Sequence, residues 1–168
     1  MALTFHTFKF LERLHSKSSG FGDTLSLGKI NNLINKEDFK NLGITESKDT
    51  YSDKILLKNF DIKSLSFLDY SKFEGAEIIH DLNLPIKETT KQFDTIIDFG
   101  TSEHIFDIIQ NLKNISALCK IGGKIIHSLP ANNNCGHGFW QFSPELFFNL
   151  YQKKKWIFRY RNLLSKLT

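Results

Sequence analysis

Two histidines and several carboxylates in this 168-residue chain stand where apolar runs end, the position from which such side chains reach a ligand. The run Phe93-Asp-Thr-Ile-Ile-Asp98 gives way to Phe99-Gly100-Thr101-Ser102-Glu103-His104. The run Lys124-Ile-Ile-His-Ser-Leu129 gives way to Pro130 and the polar loop Ala131-Asn-Asn-Asn-Cys-Gly-His137-Gly138. Histidine is the natural proton acceptor near neutral pH, which makes His104 and His137 the candidate general bases. A loop of this polarity and glycine content suits the binding of a small molecule. Glu103 has a second reading, as the acidic charge at the start of the following helix. Asp69 closes the run Ser64-Leu-Ser-Phe-Leu68, and a carboxylate at a strand end can accept hydrogen bonds from both hydroxyls of a ribose. Asp81, in Asp81-Leu82-Asn83 after Ile78-Ile-His80, ends a further run. Aspartate is also a common turn former, so Asp69 and Asp81 each keep a purely structural alternative. No metal is expected, because the spacing of His127, Cys135 and His137 fits no standard zinc pattern.

The elements that must hold these residues follow from periodicity and punctuation. Phe5, Phe8, Leu11 and Leu14 recur at helical steps, predicting a helix over Phe5 to His15. A short strand is expected from Asp23 to Gly28, and then a helix from Ile30 to Leu42 with Leu33, Ile34 and Phe39 inward and Gly43 as its C-cap. A polar loop over Thr45 to Asp53 leads to a short helix before Asn59. Strands are expected at Lys63 to Leu68, Ala76 to His80, Phe93 to Asp98 and Lys124 to Leu129, with a helix from Glu103 to Leu118. Ser143-Pro-Glu-Leu starts a last helix, with serine as N-cap and proline at the first helical position. Strands alternating with helices imply a parallel sheet, whose ligands sit at the carboxyl ends of the strands.

The stretch Phe93 to His104, with Leu118-Cys-Lys-Ile-Gly-Gly123 and the strand that follows, resembles the fourth and fifth strand region of the class I S-adenosylmethionine-dependent methyltransferases. In that family an "FD-apolar-apolar" strand runs into an "EH" helix start, and an "LKPGG" turn precedes strand five. The resemblance implies a three-layer Rossmann-like α/β fold with a mainly parallel sheet, and S-adenosylmethionine as cofactor. It implies Gly28, Asp69, Asp81, Leu82, Asp98 and Gly100 as cofactor-binding positions, with Asp69 at the ribose and Asp81 and Leu82 at the adenine. The family's glycine-rich first loop is represented by Ser26-Leu-Gly28-Lys-Ile-Asn-Asn32, with one glycine left. A cleft open between Gly28, Asp69 and Asp81 would favour methyl transfer. One filled by Leu27, Lys29 or Ile30 would favour an inactive relative that binds a nucleoside-like ligand or a protein partner. The family's full seventh strand has no room at the carboxyl end, so an open sheet edge offers itself for a homodimer.

Length and composition set the remaining bounds. One domain is expected, divided into an amino-terminal helix (1–20), a core (21–151) and a basic tail (152–168), with 40% hydrophobic residues and sixteen phenylalanines for the core. The net charge of +4 comes from the tail: residues 152–168 carry six basic side chains and no acid, and the other 151 carry sixteen basic and eighteen acidic ones. A charge run at a chain end is usually a solvated face, so nucleic acid is not an expected partner. Trp156 and Phe158 are expected to pack on the domain beside the fifth strand or in a dimer contact. There is no apolar run of membrane-spanning length and no signal-peptide pattern, and two cysteines make no disulfide framework. The expectation is a cytoplasmic protein acting on a small-molecule acceptor such as a sugar or other metabolite, without a membrane partner.

Overall fold

The computed structural model describes residues 2–87 and 91–151. Its main strands are β2 (Gly22–Leu27), β4 (Ile62–Asp69), β5 (Ile78–Ile79), β6 (Phe93–Asp98) and β7 (Cys119–His127). They form one five-stranded sheet in the order β5-β4-β2-β6-β7, and every pairing is parallel. The chain winds outward from β2 in one direction and then in the other, the doubly wound pattern in which the ligand crevice opens where the order reverses. The remaining short strands, β1 (Ala2–Leu3) and β3 (Asn31–Asn32), pair with each other in parallel outside that sheet.

Helices cover both faces. On one face α1 (Phe5–His15), α2 (Lys36–Leu42) and α3 (Asp53–Asn59) pack Phe8, Leu11, Phe39, Ile55 and Leu56 against Phe21, Phe60, Ile97 and Ile126. On the other, α4 (Ile108–Leu118) lays Ile115 and Leu118 on Leu25, Leu27, Leu68, Phe93 and Ile96. Strands covered on both faces bury successive residues, as β6 does with the adjacent Ile96 and Ile97. Their few polar side chains bond to nearby carbonyls: the Thr95 hydroxyl donates to Phe21 O at 2.7 Å and the Ser26 hydroxyl to Gly28 O at 2.7 Å. The last helix, α5 (Pro144–Leu150), has its Ser143 cap and first-turn proline as expected.

Several boundaries depart from the sequence reading, each for a local reason. The helix expected from Ile30 begins at Lys36, because Asn31 and Asn32 pair with Ala2 and Leu3 and the Asn35 side chain caps Asp38 N. Leu33, expected inward, is exposed; Ile34 and Phe39 are buried, and Gly43 is the C-cap. The third strand shrinks to two residues, since the Glu77 carboxylate takes the Phe67 N–H that a longer strand would have paired. The helix expected over Glu103 to Leu118 divides into a 3-10 turn at Ser102–His104 and α4, which starts afresh from the Asp107 cap. Strand five runs from Cys119 to His127 rather than from Lys124 to Leu129, and absorbs the Gly122-Gly123 pair. The basic segment 152–168, with the sixth strand and the packing expected of Trp156 and Phe158, lies outside the described residues.

Candidate functional site

The loops after β4, β5 and β6 meet above the carboxyl edge of the sheet and enclose a cleft of about 310 Å³. Leu68, Asp69 and Tyr70 line it from β4; His80, Asp81, Leu82 and Asn83 from β5; Thr101, His104 and Ile105 from β6. Asp69 holds its own turn, accepting the Ser71 amide at 3.1 Å on Oδ1, while its carbonyl accepts the His80 amide. Asp81 accepts two donors from Asn83 on the same oxygen, the backbone N–H at 2.9 Å and the side-chain amide at 2.8 Å. Those bonds, the backbone one first, hold the Asp81 carboxyl below its ordinary range and so in the charged form. Two acceptors therefore stand on adjacent strand ends, the arrangement a nucleoside requires for its hydroxyls and its exocyclic amine. The turn-forming reading and the binding reading of these aspartates are compatible, because the turn bonds recorded for each fall on Oδ1.

The loop after β2 behaves differently from its expectation. Gly28 takes the left-handed φ of 73° that only glycine adopts freely, and its amide donates to Leu68 O at 2.7 Å. Yet among the described residues none of this loop lines the cleft. Leu27 and Ile30 are fully buried in the two cores. Lys29 turns to Asp53, at 2.5 Å, and lies 3.8 Å over the Phe67 ring. The cleft is neither opened by Gly28 nor filled by its neighbours.

Asp98, expected at the cofactor, turns inward. It is fully buried, and both its oxygens are engaged inside the fold. Oδ1 accepts the amides of Thr101 and Ser102 at 3.4 and 3.2 Å, and Oδ2 accepts the Ser102 hydroxyl at 2.6 Å and meets His127 Nδ1 at 2.8 Å. Burial, and then the Asp98 charge, push the Tyr151 phenol well above its ordinary value. Tyr151 therefore keeps its proton, and its hydroxyl lies 2.8 Å from His127 Nε2. The other ring nitrogen, Nδ1, faces Asp98. The buried chain Asp98-His127-Tyr151 ties β6 to β7 and the end of α5. Asp98 thus holds the strand end in place and stands outside the cleft lining. Gly100, at φ 84°, turns the chain toward Thr101, whose hydroxyl donates to Leu27 O at 2.6 Å; it too stays outside the cleft lining.

The structure brings the two candidate bases together. His104 and His137 have ring centroids 5.1 Å apart, and both face Glu103. The sequence offers Glu103 as a strand-end carboxylate or a helix charge, and His127 as a strand residue or a member of a non-standard zinc set. A signal for His127 existed: Ile-Ile-Asp98 and Ile-Ile-His127 have the same pattern, and in the β6–β7 register Asp98 stands beside His127. No comparable signal pointed to Glu103, whose neighbourhood with His137 arises because the amides of Phe139 and Trp140 donate to Glu103 O at 2.7 and 3.2 Å.

No family model, curated protein or solved structure matches this chain. The geometry alone carries the functional argument. Among the described residues no helix is long and apolar enough to cross a membrane.

Proposed function

We propose that the chain transfers a methyl group from S-adenosylmethionine to a small-molecule acceptor such as a sugar. The observation that carries this reading is the convergence of Asp69, Asp81 and His104 on one cleft at the carboxyl edge of a doubly wound sheet. These groups fit the nucleoside half of the cofactor: Asp69 would accept from the ribose hydroxyls, and Asp81 with the Leu82 backbone would hold the adenine. When bound, S-adenosylmethionine supplies an electrophilic methyl group that needs no further activation. The chain's own residues orient the acceptor and accept the proton that its hydroxyl loses, at His104 or His137. Two thiols with no disulfide between them fit a reducing cytoplasm.

A second reading, a domain of this fold that binds a nucleoside without transferring methyl, is favoured by one observation: the loop after β2 contributes nothing to the cleft. Calorimetric titration separates the two. Binding of S-adenosylmethionine clearly tighter than of adenosine supports methyl transfer, and equal binding of both supports the nucleoside-binding domain. If neither binds, both readings fall.

A further inference from the structure

The carboxylate of Glu103 is 2% exposed, its Oε2 has no hydrogen-bond partner, and its Oε1 looks out at two imidazoles. Oε1 lies 3.5 Å from His137 Nε2 and 3.9 Å from His104 Nε2, longer than an ordinary N–H···O bond in both cases. One ligand-type atom from each of the three side chains lies within 4.8 Å of the others. Metal bonds of about 2.0–2.2 Å set neighbouring donors about 3.0–3.5 Å apart in octahedral or tetrahedral sites, which the Glu103–His137 pair meets as it stands and the wider Glu103–His104 pair reaches by a small side-chain adjustment. A buried carboxylate facing two nitrogens at these distances is costly by itself and is relieved by a cation between them.

The surroundings are built for this contact. The loop carrying His137 is tied down on Glu103 through the Phe139 and Trp140 amides, and Trp140 Nε1 donates to Ile105 O at 2.8 Å. Gly138 lets the loop approach, because a Cβ there would stand 2.8 Å from Glu103 O and 3.0 Å from Glu103 Cγ. His137 thus reaches Glu103 from 34 positions along the chain through specific backbone bonds.

We infer that Glu103, His104 and His137 form a binding site for a divalent transition-metal ion of the zinc type. Two imidazole nitrogens and one carboxylate suit zinc and its neighbours, whereas magnesium and calcium prefer all-oxygen sets. Three protein ligands leave at least one position for water or an acceptor oxygen. His104 lines the cleft, so that position opens beside it. There the ion would lower the pKa of a bound hydroxyl, the task otherwise given to a histidine base. This role rests on the methyl-transfer reading; the binding of the ion does not.

The test uses the full chain, stripped with EDTA and free of S-adenosylmethionine. Zinc chloride is titrated calorimetrically, and cobalt chloride is followed by its visible absorption. One ion per chain is expected. His104→Ala and His137→Ala should each weaken binding by about tenfold or more, while His6→Ala, on α1, should leave it unchanged. His137 and His104 are about half exposed, so their variants should fold, which circular dichroism checks. No saturable binding by the parent chain, or parental affinity in both variants, overturns the assignment and leaves Glu103 in plain ion pairs. Zinc binding without S-adenosylmethionine binding would keep the site and remove methyl transfer; the reverse result would do the opposite.

Discussion

The two ends of the one parallel sheet use the same side-chain types in opposite ways. At the amino end, Asp94 and Lys120 line a hollow of about 660 Å³, larger than the cleft at the carboxyl end, and with Asp23 they satisfy one another. Lys120 Nζ meets Asp94 Oδ1 at 2.8 Å and Asp23 Oδ2 at 3.8 Å, the Asp23 amide donates to Asp94 Oδ2 at 2.9 Å, and the Ser64 hydroxyl donates to Asp23 Oδ1 at 2.7 Å. These partners hold both carboxyls below their ordinary range, for Asp23 chiefly the Ser64 hydroxyl and for Asp94 chiefly Lys120. At the carboxyl end the bonds of Asp69 and Asp81 stay within their own turns, and Glu103 keeps a buried oxygen without a partner. A larger hollow is therefore the poorer site candidate. What distinguishes a site is polar capacity left over after the fold has been built.

The largest expected effect tests the exception at the carboxyl end. Asp98 is spent on the fold, and removing one partner of a buried pair leaves the other uncompensated. Asp98→Ala should lose about 3–5 kcal/mol in chemical denaturation, and a loss no larger than that of Asp69→Ala would dissolve the distinction drawn between them. Next comes an exchange of roles between the ends. Asp69→Ala should weaken S-adenosylmethionine binding by about 1.5–3 kcal/mol with little change in melting temperature. Asp94→Ala should lower the melting temperature and leave that binding unchanged; calorimetry and thermal melts on both variants read the crossover.

Smaller effects appear as pH dependence. The Tyr151 pKa is raised in the folded chain, so the phenol ionises first in the unfolded chain, and stability falls as pH rises above about 10. Tyr151→Phe should flatten that alkaline loss in urea melts, and an unchanged slope would place the tyrosine outside the Asp98-His127 chain. The smallest effect lies at the acid side. Asp23 and Asp94 are lowered from 3.8, so they add stability above that pH, which is lost as pH falls through their lowered values. Lys120→Met should move the acid unfolding midpoint modestly upward, because Asp94 then protonates sooner. An unmoved midpoint would mean that the amino-end cluster is held by its hydroxyl and amide donors alone.

Much of the fold was legible because parallel strands covered on both faces write apolar runs, and caps write boundaries. Phe93–Asp98 and Phe5–His15 have the predicted bounds, and Ser143 caps α5 as expected. Two of the misplaced boundaries involve partners distant in sequence. Asn31 and Asn32 leave the helix for β1, and Glu103 O bonds to Phe139 and Trp140 instead of continuing a helix. Single-chain periodicity has no access to such competition.

Within the site, the sequence by itself determined which residues stand at strand ends: Asp69, Asp81, His104 and the His137 loop follow from the apolar runs that must stop before them. It could not decide which of these face a ligand. That depends on hydrogen bonds contributed by other strands and loops. Asp98 and Asp69 both end apolar strands, yet Asp98 is enclosed by Ser102, His127 and the Thr101 amide while Asp69 lines the cleft. Glu103 and His137 become neighbours only when the loop closes over a glycine. Local pattern fixes where a chain changes direction; the three-dimensional count of donors and acceptors decides which polar groups remain available once it has.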